Sequence, residues 1–126
     1  MKKYAPALLI DIVLVVVFAA LGRSSHDETL NIPGIATTAW PFLAGLTVGW
    51  FATAGLYRDK FDARAAIPTG LLVWLCTLIV GMLLRAATGQ GTATAFIVVA
   101  TIFLGVFLVG WRLIARVCAR RSVPTR

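Results

Sequence analysis

Asp11 stands inside an apolar run, Asp11-Ile12-Val13-Leu14-Val15-Val16-Val17-Phe18, that ends in Gly22-Arg23-Ser24-Ser25-His26. A carboxylate in a lipid-facing helix costs about 2.5–3.5 kcal/mol on insertion scales, so it turns toward protein or water. Two chemistries suit it. One is a proton or cation relay, or a counter-charge to a bound substrate. The other is a structural ion pair near the end of the span, with Arg112 as the natural partner. Asp11 lies about six residues into the run, about 9–10 Å along a helix. That shallow depth favours the structural pair.

Arg23 and Arg85 close two apolar runs, and His26 and Gln90 sit in the adjoining loops. Together they make a candidate rim for an anionic group, because Arg forks onto phosphate or carboxylate with two parallel hydrogen bonds. The competing account is simpler: both Args snorkel to headgroups, and Arg23 pairs with Asp27 or Glu28. His26 is the chain's sole histidine. Without a second His, the run His26-Asp27-Glu28 has no metal-ligand spacing, so no metal site is expected. An imidazole there would suit a pH sensor. Ser24 and Ser25 have no base-orienter partner for nucleophilic catalysis. There is no phosphate-binding loop or dinucleotide fingerprint. Cys76 and Cys118 read as small apolar filler. No enzyme activity and no cofactor are expected.

The elements that must position these residues follow from composition. Of 126 residues, 60% are hydrophobic and 13% charged. A soluble domain carries about 25% charged residues, so the solvent for most of this chain is lipid. A span needs about 20 apolar residues. Four fit, at about 5–22, 38–56, 65–85 and 93–112, followed by a basic tail, 113–126. Asn31-Ile32-Pro33-Gly34 reads as a turn, with Thr37 or Thr38 as the N-cap of the second span and Pro41 in its first turn. Pro68 falls in the first turn of the third span. A cleaved signal peptide is disfavoured by Asp11 in the apolar region and the lack of a small-x-small site. The expected fold is all-α: a four-helix, multi-pass membrane bundle.

Orientation follows from the basic residues. The N-terminus, the 57–64 linker and the tail carry Lys2, Lys3, Arg58, Lys60, Arg64, Arg112, Arg116, Arg120, Arg121 and Arg126, against Arg23 and Arg85 on the other side. That bias puts both termini in the cytoplasm. It also argues against the dual-orientation dimers of small exporters. The two halves do not repeat, which weakens an inverted-repeat transporter. The net charge of +7 therefore reads as membrane anchoring rather than nucleic-acid binding.

Small and polar residues fall in stripes. Thr38, Phe42, Gly45, Gly49 and Thr53 share one face of the second span. Gly70, Trp74, Thr77, Gly81 and Arg85 share one of the third, and Thr94, Thr101, Gly105 and Arg112 one of the fourth. Such stripes let backbones approach, so Gly45, Gly49, Thr77, Gly81 and Gly105 are expected packing positions. Gly45 and Gly49 also form a GxxxG, which leaves homodimerisation or docking on a larger complex open. Trp40 and Trp111 lie near interfaces, where indoles anchor. Trp50 and Trp74 lie deeper and need an N–H partner. Arg112, Arg116 and Arg120 line one side of a short basic helix continuing the fourth span.

Asp11, Gly22-Arg23-Ser24-Ser25-His26, Thr38-Ala39-Trp40-Pro41-Phe42, Gly81-Met82-Leu83-Leu84-Arg85 and Gly110-Trp111-Arg112 give the chain a recognisable pattern. It resembles the small membrane proteins grouped as domain-of-unknown-function family 3054, found in actinobacteria and haloarchaea. The resemblance implies this fold and a prokaryotic plasma (inner) membrane, and no chemistry. The residues themselves favour a protein that binds or transports an anionic lipid or solute. The rival is a non-catalytic subunit of a larger membrane complex.

Overall fold

The computed structural model describes residues 4–25, 32–60, 62–89 and 94–122. Among the described residues there are four α-helices: α1 (Ala5–Ser25), α2 (Ile32–Tyr57), α3 (Leu71–Ala87) and α4 (Thr94–Ser122). Each is part of a segment long and apolar enough to cross a membrane: Ala5–Gly22, Ile32–Tyr57, Ala66–Ala87 and Phe96–Cys118. α1 packs on α2, α2 on α3, α3 on α4 and α4 back on α1, and the Phe42 ring of α2 reaches across to Phe96 of α4. The result is a closed ring of neighbours around one core.

That core is built from Val15, Phe18, Phe42, Leu46, Val73, Ala100, Leu104 and Leu108. Phe18 meets Phe42 edge-on at 5.3 Å, and Phe96 lies 6.1 Å from both rings. Large apolar side chains also cover the outside, among them Phe51, Ile79, Val106 and Ile114. A water-soluble monomer avoids apolar patches of that extent, so this surface is suited to acyl chains. In lipid, helices gain little from hiding apolar surface and associate through close packing. The α2–α3 contact shows how. A Cβ on Gly45 would lie 2.8 Å from the Thr77 carbonyl oxygen and 2.9 Å from Thr77 Cα. One on Gly49 would lie 3.0 Å from Val73 Cα. Gly81 lies under the Phe42 ring, and Gly105 faces the Trp74 indole. Thr53 and Thr77 donate to the carbonyls of Gly49 and Val73, each at 2.7 Å, so their hydroxyls are satisfied within their own helices.

Three expected boundaries move. α2 begins at Ile32, so Ile32-Pro33-Gly34 is helical instead of a turn. Proline lacks the N–H that a first turn leaves unpaired anyway, so Pro33 suits this start. Thr37 then donates back to the Pro33 carbonyl at 2.8 Å rather than capping, and Pro41 lies in the helix interior. The third helix starts later than residue 65. Ala66–Gly70 forms a separate wide turn in which Ile67 is extended (φ −128°, ψ 124°). The residue before a proline is driven out of the helical region, and Pro68 does this to Ile67. α4 continues through the tail to Ser122. Its buried stripe is Ala100, Leu104, Leu108 and Arg112, while Thr94 points outward.

Candidate functional site

The structure gathers its most costly polar groups at one end of the bundle. Asp11 on α1 and Arg112 on α4 are both fully buried and pair at 2.7 Å. The pairing is two-pronged. Arg112 Nη1 donates to Asp11 Oδ1 at 3.0 Å, and Nη2 donates to Oδ2 at 2.7 Å. The indole of Trp50 on α2 donates to Oδ2, and that of Trp111 on α4 donates to Oδ1, each at 2.8 Å. Each carboxylate oxygen thus accepts two hydrogen bonds, which uses the capacity of an ionised carboxylate. Arg112 makes two further hydrogen bonds, both to backbone. Nη1 also reaches the Leu108 carbonyl at 2.8 Å, and Nε reaches the Ala63 carbonyl at 2.9 Å. Among the described residues, no buried side-chain polar atom lacks a partner.

All four hydrogen bonds to the carboxylate thus come from within the bundle. The cluster ties α1, α2, α4 and the linker after α2 at one point. Asp11 and Arg112 form a buried ion pair, and Arg112 leaves the solvated stripe that the spacing of Arg112, Arg116 and Arg120 predicts. The tryptophans divide differently from expectation. Trp111 serves the buried acid and is no simple interface anchor. Trp74 donates to the Thr101 carbonyl at 3.1 Å. Replacing Trp111 by Phe keeps the ring and removes one charge-assisted donor. It should lower stability by about 1.5–3 kcal/mol, read as thermal unfolding of the detergent-purified protein, while Trp40→Phe on the outer surface should leave the transition unmoved.

Of the expected rim, the structure describes the side chain of Arg85; those of Arg23, His26 and Gln90 lie outside the described residues. Arg85 is half-buried, with its guanidinium carbon 4.1 Å from the centroid of Phe96, a cation–π geometry. The Phe96 ring also lies 4.0 Å from where a Gly22 Cβ would be. The ends of α1 and α3 thus converge on Phe96. Phe96 and Arg112 are separated by about 24 Å along α4 at 1.5 Å per residue. Asp11 and Arg85 are therefore at opposite ends, and a single site using both as ligand groups is not formed. Gly45 and Gly49 are buried and pack closely against α3. Among the described residues, no cluster of His, Cys, Asp or Glu fits a metal ion.

Residue spacing alone does not reveal the pair of indole donors on Asp11. A signal was present all the same: a buried carboxylate needs several donors, and Trp111 adjoins Arg112, its natural partner.

Fold and site define a four-helix bundle suited to a lipid solvent and locked by a buried ion pair. The chain belongs to the DUF3054 family, described as a protein of unknown function, whose match runs over residues 8–115. That segment holds Asp11, Trp50, Ala63, Trp111 and Arg112. No curated protein and no solved structure matches the chain.

Proposed function

We propose that this protein is a non-catalytic, multi-pass protein of a prokaryotic inner membrane that binds an anionic lipid headgroup or solute at the end of the bundle around Arg85. The observation carrying this reading is the convergence of Gly22 and Arg85 on the Phe96 ring. It puts the helix ends bearing Arg23 and Arg85 at one corner, where two guanidiniums suit a phosphate or carboxylate. With Arg112 neutralised by Asp11, nine basic residues remain on the opposite side against these two. The bias still favours cytoplasmic termini and puts the corner on the outer face. The ligand sits at the corner and does not pass through the bundle: the interior is filled by Phe18, Phe42, Leu46, Leu104 and Leu108.

Native mass spectrometry of the gently extracted protein tests this. The expected result is a retained anionic lipid or solute whose affinity falls about fivefold in Arg85→Ala and again in Arg23→Ala, at about 1 kcal/mol per basic residue. Arg85→Lys keeps the charge and should retain most of the ligand. Unchanged retention in Arg85→Ala would sink the proposal. A heteromeric mass without a specific small molecule would make the protein an accessory subunit instead.

A further inference from the structure

At the end of the bundle holding the ion pair, the linker after α2 and the last turns of α4 enclose an open cleft of about 510 Å³. Its lining includes Asp62, Arg64, Ile67, Pro68, Ala115 and Arg116. We propose that this cleft binds the headgroup of a phospholipid that carries a hydrogen-bond donor beyond its phosphate, as ethanolamine and glycerol headgroups do. The site is separate from the Arg85 corner and does not depend on it.

Three observations carry the assignment. The first is rigidity. The Arg112 Nε bond to the Ala63 carbonyl fixes the linker against α4. Within the linker, Ala65 N–H donates to the Asp62 carbonyl at 3.1 Å, and Gly70 N–H donates to the Ala65 carbonyl at 2.9 Å. The Thr69 hydroxyl also donates to the Asp62 carbonyl. Gly70 lies so close to Arg112 that a Cβ would be 3.0 Å from Arg112 Cδ. The buried ion pair thereby holds one wall of the cleft in place, and a preformed site binds without the cost of ordering a loop.

The second observation is charge. Arg64 and Arg116 are exposed, and neither guanidinium is engaged by another side chain among the described residues. Arginine suits a phosphodiester because its fork matches two phosphate oxygens. Asp62 completes the set. Its Oδ1 accepts the Arg64 backbone N–H at 3.0 Å, which leaves capacity for further donors. An ammonium or a glycerol hydroxyl supplies one; a choline group has none.

The third observation points to a lipid rather than a free anion. Ile67 is 73% exposed at the cleft. Leading away from the cleft end, Leu71, Leu75 and Ile79 follow at four-residue spacing on α3 and form an exposed apolar strip. A phosphate held by Arg64 and Arg116 would lead its acyl chains onto that strip.

The test is native mass spectrometry of the full chain in detergent with phosphatidylglycerol, phosphatidylethanolamine or phosphatidylcholine added, and separately with inorganic phosphate. Wild type should retain the first two lipids over phosphatidylcholine. The Arg64→Ala/Arg116→Ala double variant should bind each about thirtyfold more weakly. Both positions are exposed, so its helicity and melting temperature should match wild type. Arg85→Ala should keep this site, which separates its failure from that of the corner. Equal retention of phosphatidylcholine, or unchanged binding by the double variant, would overturn the proposal. Inorganic phosphate bound as tightly as phosphatidylglycerol would overturn the lipid assignment.

Discussion

Arg112→Leu should destabilise the bundle by about 3–5 kcal/mol, because it strands the Asp11 carboxylate in the interior. Domain stabilities are typically about 5–15 kcal/mol, so the loss takes a large share of what holds the fold. Asp11→Leu should do comparable damage from the other side, leaving a buried guanidinium with only carbonyl partners. The informative variant carries both changes. Replacing a whole buried ion pair by apolar residues is often neutral or stabilising. Here the double Leu variant should recover only part of the loss, since Trp50 and Trp111 keep N–H groups aimed at an acceptor that is gone. Each stranded donor costs about 1–3 kcal/mol. Adding Trp50→Phe and Trp111→Phe should restore more. Thermal unfolding in detergent, followed by circular dichroism, reads the whole series. If Arg112→Leu alone stayed within about 0.5 kcal/mol of wild type, the range of an ordinary surface substitution, the ion pair would not be what closes this end.

The same series has a consequence for the linker. Arg112 is the residue that binds the Ala63 carbonyl, so variants that lack it lose the bond even when the helices still pack. The fully apolar variant should fold with a looser 62–65 segment, seen as faster amide hydrogen exchange there. Stability and lipid retention would then separate. A bundle that keeps its melting temperature and loses phosphatidylglycerol would show that the ion pair serves the cleft as well as the core.

How far these features can be read from sequence differs from residue to residue. The four spans are legible because lipid leaves a backbone no alternative to helix, and about 20 apolar residues in a row mark each one. The Asp11–Arg112 pair is half legible. An acid in lipid demands a partner, and α4 offers an Arg at the matching end. The two indoles on Asp11 are not legible, because which face Trp50 and Trp111 present depends on how each helix is rotated in the bundle. The start of α3 shows a different limit. Pro68 is visible, but a proline in a first turn and a proline that extends the preceding residue look alike until Ile67 is placed. The α4 stripe misled for the same reason as the indoles. The spacing of Arg112, Arg116 and Arg120 is helical, yet Arg112 is buried in the core while Arg116 is exposed. The Gly45/Gly49 spacing, finally, marks a close approach without saying whether the other helix belongs to this chain or to another.

Gly45→Leu settles that last question in energetic terms. The structure puts α3 against Gly45, with the carbonyl oxygens of Thr77 and Cys76 at 2.8 and 2.9 Å from where a Cβ would be. These are backbone atoms, and they cannot turn aside as a side-chain tip can. Even Gly45→Ala must push α2 and α3 apart, at the about 1–3 kcal/mol typical of overpacking. Leucine should exceed that range and reduce folded protein sharply. Gly55 supplies the control: nothing lies within 4 Å of where its Cβ would be, so Gly55→Leu should leave the melting temperature close to wild type. The two roles for the GxxxG now separate. If it joins two chains, Gly45→Leu yields a stable monomer or a protein stripped of its partner, with unfolding unchanged. If it joins α2 to α3, the same substitution lowers the unfolding temperature and leaves any oligomer of the surviving protein intact. Size-exclusion chromatography alone would confuse loss of assembly with loss of folding. The measurement therefore pairs it with circular dichroism, and the packing around Gly45 predicts that the change appears in unfolding.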